Sequence, residues 1–574
     1  MKRRARLALL ASTTAAALFA LHGATALAHD TGAPHGQGAP LTQASYGDPA
    51  AEVPLFDTLG SHSYAITTDP PLAQAYFNQG LRWTWAFNHG EALRAFRAAQ
   101  QIDPGCAMCY WGEAFALGPN INAGMAPDAM PQAVAAIVRA QELMAGATLA
   151  EQGLITALAT RYSDDPAADQ AALGAAYEAA MATLAARFPD DDEIATLHAD
   201  AIMNLSPWDY WLDGGATPKP ATVTLVGTLE TVLARNPDHP GAIHLYIHAV
   251  EASTEPERAE PHADRLAALM PGAGHLVHMP AHIYFRVGRW LDSLETNRMA
   301  VAADEAYFAA VDLDPRTLPG VYTDGYYPHN VHFLLTSAQM AGDVATIAEA
   351  AAKLESLVSV ATAREVAWLQ PIKAAGYYAH AQYSAADVIL ALPEPDATLP
   401  YVVSTWHYAR GVALAAAGDL GAASAEAEAI RAIGAGTDFS AAEAGGLPAT
   451  ALIELSALIV DARIAQAEGD LATARERLET AVAIQDTLAY MEPAFWYYPV
   501  EQTLGAVLMA MGETEAAEAT FRAALADVPN NGWVLWGLRE LYRSTGDTTR
   551  AEEMNGYFRA AWAGDPEFLT LERL

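Results

Sequence analysis

Pro237, His244 and His248 recur, 34 residues on, as Pro271, His278 and His282. A fixed offset of this length is the mark of stacked supersecondary units, each burying its apolar face only against its neighbours. Between Ala73 and the C-terminus the apolar residues follow helical spacing. The joints are short and marked by Pro or Gly-Asp, and no stretch sustains a period of two. The chain is therefore expected to be an all-α solenoid of helix–turn–helix units. Each His-x-x-x-His pair would then sit at the same place on a successive helix.

A second signature fixes the type of unit. Gly80, Ala92, Phe96, Ala99 and Pro104 return at identical spacing as Gly505, Ala517, Phe521, Ala524 and Pro529. Small residues let paired helices approach, an aromatic residue plugs the crossing, and a proline ends the unit. Looser matches lie at Gly411–Ala423, at Ala462, Ala474, Leu478 and Ala481, and at Ile247, Ala259 and Pro271. This pattern resembles the tetratricopeptide-repeat (TPR) superfamily. The resemblance covers most of residues 73–565, with irregular insertions at 205–222, 303–328 and 388–401, and implies a right-handed α-solenoid of about ten TPR-like repeats. The phrases AIHLYIHAVEAS, GHLVHMPAHIYFRVGRW and DPGCAMCYWGEAFALGPNIN are further similar to a group of exported bacterial repeat proteins, which brings no activity with it.

The N-terminus reads as an address. Lys2, Arg3, Arg4 and Arg6 precede a largely apolar run from Leu7 to Leu21, and Ala26-Leu27-Ala28 fits a small-x-small cleavage site. Residues 1–28 are thus expected to be a signal peptide, making the protein periplasmic or secreted, with no membrane insertion after cleavage. Losing four basic residues takes the formal net charge from −36 to −40. So acidic a chain repels phosphate backbones, which argues against nucleic acid as a partner. Residues 29–54, rich in Gly, Ala, Pro and Gln, read as a flexible tail. N-terminal repeats would follow over 55–236, a His-rich central set over 237–360, and C-terminal repeats over 361–574.

Cys106 and Cys109 are the only cysteines. Tyr110 follows where haem attachment would require His, and no βαβ pattern supports a thioredoxin-like role. A local disulfide, or two small buried residues at a helix start, is the plainer expectation. Soft ligation of Cu(I) with Met108 is the sharper one.

Nine of the seventeen histidines lie between His239 and His332. By TPR numbering, His244 and His278 take repeat position 5, and His248 and His282 position 9. Glu251 falls at position 12, His275 and His329 at 2, and His332 at 5. In the superfamily those positions line the concave ligand-binding face. Residues four apart on a helix stand about 5–6 Å apart at Cβ, so two imidazoles can share an ion. His-x-x-x-His-x-x-Glu offers two nitrogens and one oxygen, a set that suits Zn, Fe or Cu. Leu245 stands where a zinc protease needs its glutamate, which disfavours that class.

The expected function is a TPR-repeat protein holding a transition metal ion in its groove at His244, His248, Glu251, His278 and His282, with His275, His329 and His332 as further ligands. It would serve a metal-dependent oxidoreductase or hydrolase acting on a small-molecule or peptide ligand. Glu251, Tyr327 and Arg286 are the candidate reaction residues: Tyr327, with Tyr326, to orient a substrate, and Arg286 to hold a carboxylate. Trp83, Trp85, Trp111, Trp208 and Trp211 would be core or an aromatic wall. His198, His262, His380 and His407 lack the phasing and are read as structural. The competing expectation is a metal-free scaffold that binds a peptide or protein partner in the same groove.

Overall fold

The computed structural model describes residues 53–126, 128–316 and 320–574. The expected signal peptide and all of the expected tail but Val53 and Pro54 lie outside the described residues. Within them the chain is almost wholly helical; the one sheet is a two-stranded hairpin, Trp211–Leu212 against Thr217–Pro218. Twelve helix hairpins follow one another from Pro71–Trp85 and His89–Ile102 to Gly532–Ser544 and Thr548–Ala561. The eighth is irregular, its second helix, Ala386–Leu390, being only five residues long. The architecture is a TPR-like α-solenoid.

The aromatic plugs explain why this sequence pairs its helices so closely. The Phe96 ring lies where a Cβ on Gly80 would be 2.7 Å away and one on Gly112 2.4 Å away. Phe521 fills the same role between Gly505 and Gly537, at 2.5 and 2.8 Å. One ring thus occupies the space of two missing side chains, on the helix before and the helix after. The connections are set by local chemistry as well: Asp343, Asp419, Asp470 and Asp547 each accept a backbone N–H at the start of a second helix. All four preceding glycines, Gly342, Gly418, Gly469 and Gly546, have φ in the left-handed range.

The solenoid is not an open curve. Trp290 donates its indole N–H to the Pro529 carbonyl at 3.0 Å, and Asn530 donates to the Gly288 carbonyl at 3.2 Å. The Ala563 amide donates to the Ala341 carbonyl at 2.8 Å. The last hairpin therefore packs back on the sixth and seventh, and the superhelix closes on itself. The interior is filled from inside by the connection between Leu471–Gln485 and Glu501–Ala510, whose Tyr490, Glu492 and Tyr497 reach histidine-bearing helices or their partners. This insertion carries no repeat phase. No described helix is long and apolar enough to cross a membrane. Cys106 and Cys109 form a disulfide, with Cys106 at the N-cap of Ala107–Leu117.

Candidate metal centre

Three helical segments deliver the histidines. Pro240–Val250 starts with Pro at its first turn, where no amide partner is needed, and His239 Nδ1 accepts the Ala242 N–H. His244 and His248 follow one turn apart on its inner face. The next unit begins as Gly274–His278 and, past Met279, resumes as Pro280–Val287, with His275, His278 and His282 along it. The third is Tyr327–Ala341, which a six-residue π-turn, Val321–Tyr326, leads into; it carries His329 and His332. His244, His248, His275, His278 and His282 are all between 0 and 2% exposed, so the groove they line is sealed over them.

The rings form two contiguous triads. His244, His248 and His275 have ligand nitrogens within 4.8 Å of one another, as do His278, His282 and His329. His275 Nε2 is 3.2 Å from His244 Nε2, His278 Nε2 is 2.9 Å from His282 Nε2, and His329 Nε2 is 3.4 Å from His282 Nε2. The triads abut: His248 and His282 have ring centroids 5.5 Å apart, His275 and His278 6.0 Å.

Their outer partners fix the tautomers. His244 Nδ1 lies 2.7 Å from the Trp85 carbonyl at the end of Pro71–Trp85. A carbonyl only accepts, so Nδ1 carries the proton and Nε2 presents a lone pair. Gly241 makes this approach possible, since a Cβ there would meet the Trp85 ring at 2.4 Å. His278 Nδ1 donates to Asn297 Oδ1 at 2.7 Å; the Asn297 amide group is oriented by its own N–H bond to the Ser293 carbonyl. Glu251 takes one histidine from each triad, His248 Nδ1 on Oε1 at 2.8 Å and His282 Nδ1 on Oε2 at 2.5 Å. Four of the six rings are therefore oriented with Nε2 inward, the arrangement that outer carboxylates and carbonyls give metal-bound histidines.

Burial pulls the pKa of His244, His275, His278 and His329 well down, helped by the neighbouring imidazoles, and lowers that of His248 too. His282 goes the other way. Burial opposes its charge, but Glu251 and Glu492 outweigh it and push the ring up to about 10. Burial acts against the Glu251 carboxylate, yet His282 and His248 hold it down to about 2. Glu492, 3.2 Å from His282 Nδ1, is pushed up to about 7 by burial. The two carboxylates thus favour the charged form of His282, whose Nε2 lies 2.9 Å from His278 Nε2 in the second triad. In the first triad His275 Nε2 pairs with His244 Nε2, while His248 Nε2 is buried with no hydrogen-bond partner.

Aromatic residues wall both triads. Phe87 lies 4.4 Å from the His244 ring and is stacked on His248 at 6.3 Å and on His275 at 5.6 Å. Trp208 meets His248 edge-on at 5.0 Å. Both have left-handed φ, 55° and 67°, a strained backbone for bulky residues of the kind that collects at functional sites. Phe333 packs within 4.9 Å of all three rings of the second triad. His329 is the partly exposed member, so the centre faces outward on that side.

Other expected residues lie elsewhere. His332 joins neither triad; its Nε2 is 2.7 Å from the Tyr497 hydroxyl. Glu251 is at the centre, but both its oxygens are engaged by Nδ1 atoms behind the rings. Tyr327 turns outward, donating to Glu305 at 2.8 Å, and Tyr326 packs against His275 at 4.5 Å instead. Arg286 donates to the Ser253 carbonyl and stacks on Tyr490, whose hydroxyl is 3.4 Å from Glu251. Trp83, Trp85 and Trp111 are buried in the core, while Trp211 donates to the Ala249 carbonyl. His198 pairs with Glu178, His407 with Glu426, and His380 with Ser384, away from the centre, while His262 packs edge-on against Tyr246.

A further group, His62, Glu193 and His239, has ligand spacing that sequence phasing did not point to. His239 Nδ1 accepts the Ala242 amide, so its other nitrogen carries the proton and donates to Glu193 at 3.2 Å. Trp85 Nε1 donates to the same carboxylate at 2.9 Å. That triad is a satisfied hydrogen-bond network with no free lone pair on His239 for an ion.

No family model matches this sequence, and no curated protein matches it. Among solved structures it is similar to the human IFIT1 dimer with m7Gppp-AAAA, at 11% identity and a TM-score of 0.30, covering 86% of this chain and 90% of that one. Yeast Tom70 is similar at 8% identity and 0.26, covering 85% and 89%. The Naa15/Naa10 complex bound to HypK-THB is similar at 14% and 0.23, covering 88% and 91%. At these scores the architecture is read from the helices themselves.

Proposed function

We propose that this chain is an exported metal-binding protein whose closed TPR-like solenoid holds transition-metal ions at two three-histidine sets, His244–His248–His275 and His278–His282–His329. The observation that carries this is the unpartnered, buried Nε2 of His248, which faces two further imidazoles while its own Nδ1 and that of His244 are already committed. Leaving a buried acceptor unpaired costs about 1–3 kcal/mol, and a bound cation removes that cost. An ion in the second triad would take the place of the proton on His282. Three nitrogens leave each ion an open position, as a centre for oxidation or hydrolysis requires. Glu251 acts behind the ligands, and Arg286 and Tyr490 lie beside it. A peptide lying in this groove would have to displace Tyr490, Glu492 and Tyr497, which argues against the metal-free scaffold.

Elemental analysis of the purified protein tests the reading. Cu, Zn, Fe or Mn is expected at near-stoichiometric or greater content. His248→Ala and His282→Ala each reduce it sharply, while His198→Ala and His407→Ala leave it unchanged. A hundredfold excess of metal over its dissociation constant stabilises the fold by about 2.7 kcal/mol, so a chelator lowers the melting temperature. No metal after repletion, or equal losses from all four variants, overturns the reading in favour of a peptide-binding scaffold.

A further inference from the structure

We infer that the two triads are one coupled centre that holds a pair of copper(I) ions and takes dioxygen between them. The inference rests on the metal-binding reading above and goes beyond it in naming the metal, the coupling and the co-substrate.

Coupling comes from Glu251. One carboxylate orients a histidine of each set, through Oε1 to His248 and Oε2 to His282, so neither triad can shift without the other. The two sets also touch through His275 and His278, consecutive turns of one helical segment. Metal pairs that act together need to stand only about 3.5–4 Å apart. Rings already in contact across the seam are compatible with that spacing.

The donor set and its charge point to copper. Each ion would receive three neutral imidazole nitrogens and no anionic ligand, a set that imidazole-binding metals such as copper accept. The carboxylates in contact with the cluster are Glu251 and Glu492. Two monovalent ions match the charge that these two carboxylates carry when both are ionised. Two divalent ions with the same ligands would leave two positive charges in a buried site, which is costly. Reaction with dioxygen preserves the match. Each copper(I) gives up one electron and becomes copper(II), while the O2 molecule takes both and becomes peroxide dianion. The O–O bond persists as a single bond, and no proton moves. The summed charge of metals and ligand is two positive before and after.

The walls suit a small apolar reactant. Phe87, Trp208 and Phe333 cover the triads with hydrocarbon, and the partly exposed His329 marks the side from which a diatomic gas can enter.

The test uses the full-length protein stripped of metal, loaded with copper(I) under argon, then exposed to a measured amount of dioxygen. Two coppers per chain are expected, with uptake of one O2 per two coppers. The oxidised protein should give little or no electron paramagnetic resonance signal, because two adjacent copper(II) spins pair. Glu251→Gln, with its helical circular dichroism intact, should still bind copper. Its signal should rise towards that of isolated copper(II), and its oxygen uptake per copper should fall at least tenfold. A full copper(II) signal from the oxidised parent protein, or two bound coppers without oxygen uptake, overturns the coupled pair and leaves the metal-binding reading standing. Failure to hold any of copper, zinc, iron or manganese overturns both.

Discussion

Asp304 offers a test of the packing around the centre that does not depend on metal. Its carboxyl is fully buried, accepts the Tyr322 hydroxyl at 2.7 Å and the Asn330 amide at 2.7 Å, and fills the space a Cβ on Gly274 would need. Burial, with a smaller contribution from Glu305, pushes its pKa from 3.8 up to about 7, against those two donors. A raised carboxyl pKa means the folded state binds the proton more tightly than the unfolded chain does. The stabilising contribution is therefore complete below about pH 4 and is lost as pH rises through 7. Linkage puts the whole loss at about 4 kcal/mol, of which about 2.5 kcal/mol falls between pH 5 and 8. Asp304→Asn removes the titration and keeps the shape. Asn330 Oδ1 is buried without a partner, so that side chain can turn to accept the new amide N–H. Urea denaturation of both proteins, with chelator present, should show the parent losing stability relative to the variant from pH 5 to pH 8. Parallel curves over that range would refute the assignment.

Three other outcomes are expected. Gly241→Ala drives a methyl into the Trp85 ring, whose residue carries the carbonyl that holds His244; metal affinity, measured by competition with a chromophoric chelator, should fall about 10–100-fold, as for lost outer partners of metal ligands. Phe521→Ala empties a plug shared by two helices and should cost about 3–5 kcal/mol in denaturant midpoints, whereas Val223→Ala, at an exposed site, should fall within about 0.5 kcal/mol of the parent. Mass spectrometry of protein from an exporting host should find His29 as the first residue; retention of Met1 would remove the case for export.

What the sequence disclosed follows the range of the interactions involved. Gly80 and Phe96, or His244 and His248, are fixed by contacts within a unit or between adjacent units, so spacing alone exposes them. His329, 54 residues beyond His275, could be placed only by realigning the repeat on Gly342-Asp343, past the irregular stretch at 303–328. His332, three residues later, is turned toward Tyr497, because the insertion at 486–500 occupies the side of the groove it faces. Trp85, Asn297 and Glu492 orient or contact the histidines, yet none has repeat phase: one offers a backbone carbonyl, one sits on a second helix, and one comes from the insertion. Trp208 was named as a possible aromatic wall, but its place over His248, and Phe87 altogether, escaped for another reason. Their role depends on a left-handed backbone that no residue preference announces for aromatic side chains. Closure of the superhelix, too, arises from single contacts between hairpins far apart in order, such as Trp290 with Pro529, and leaves no periodic trace.

That clasp alters what kind of object the solenoid is. An open array is a one-dimensional chain of neighbours, in which either end can fray while the middle stays intact. Here the final hairpin is bonded to Gly288, Trp290 and Ala341 as well as to the hairpin before it. Peeling it away breaks bonds on two fronts, and the loop closed by Trp290 and Pro529 spans 239 residues of chain. Closing a loop that long costs only logarithmically more than closing a short one, so the bonds at the junction need repay little extra entropy. The ring should accordingly melt as one body at its seam, and the histidines at its heart should become accessible to solvent and chelator together when that seam parts.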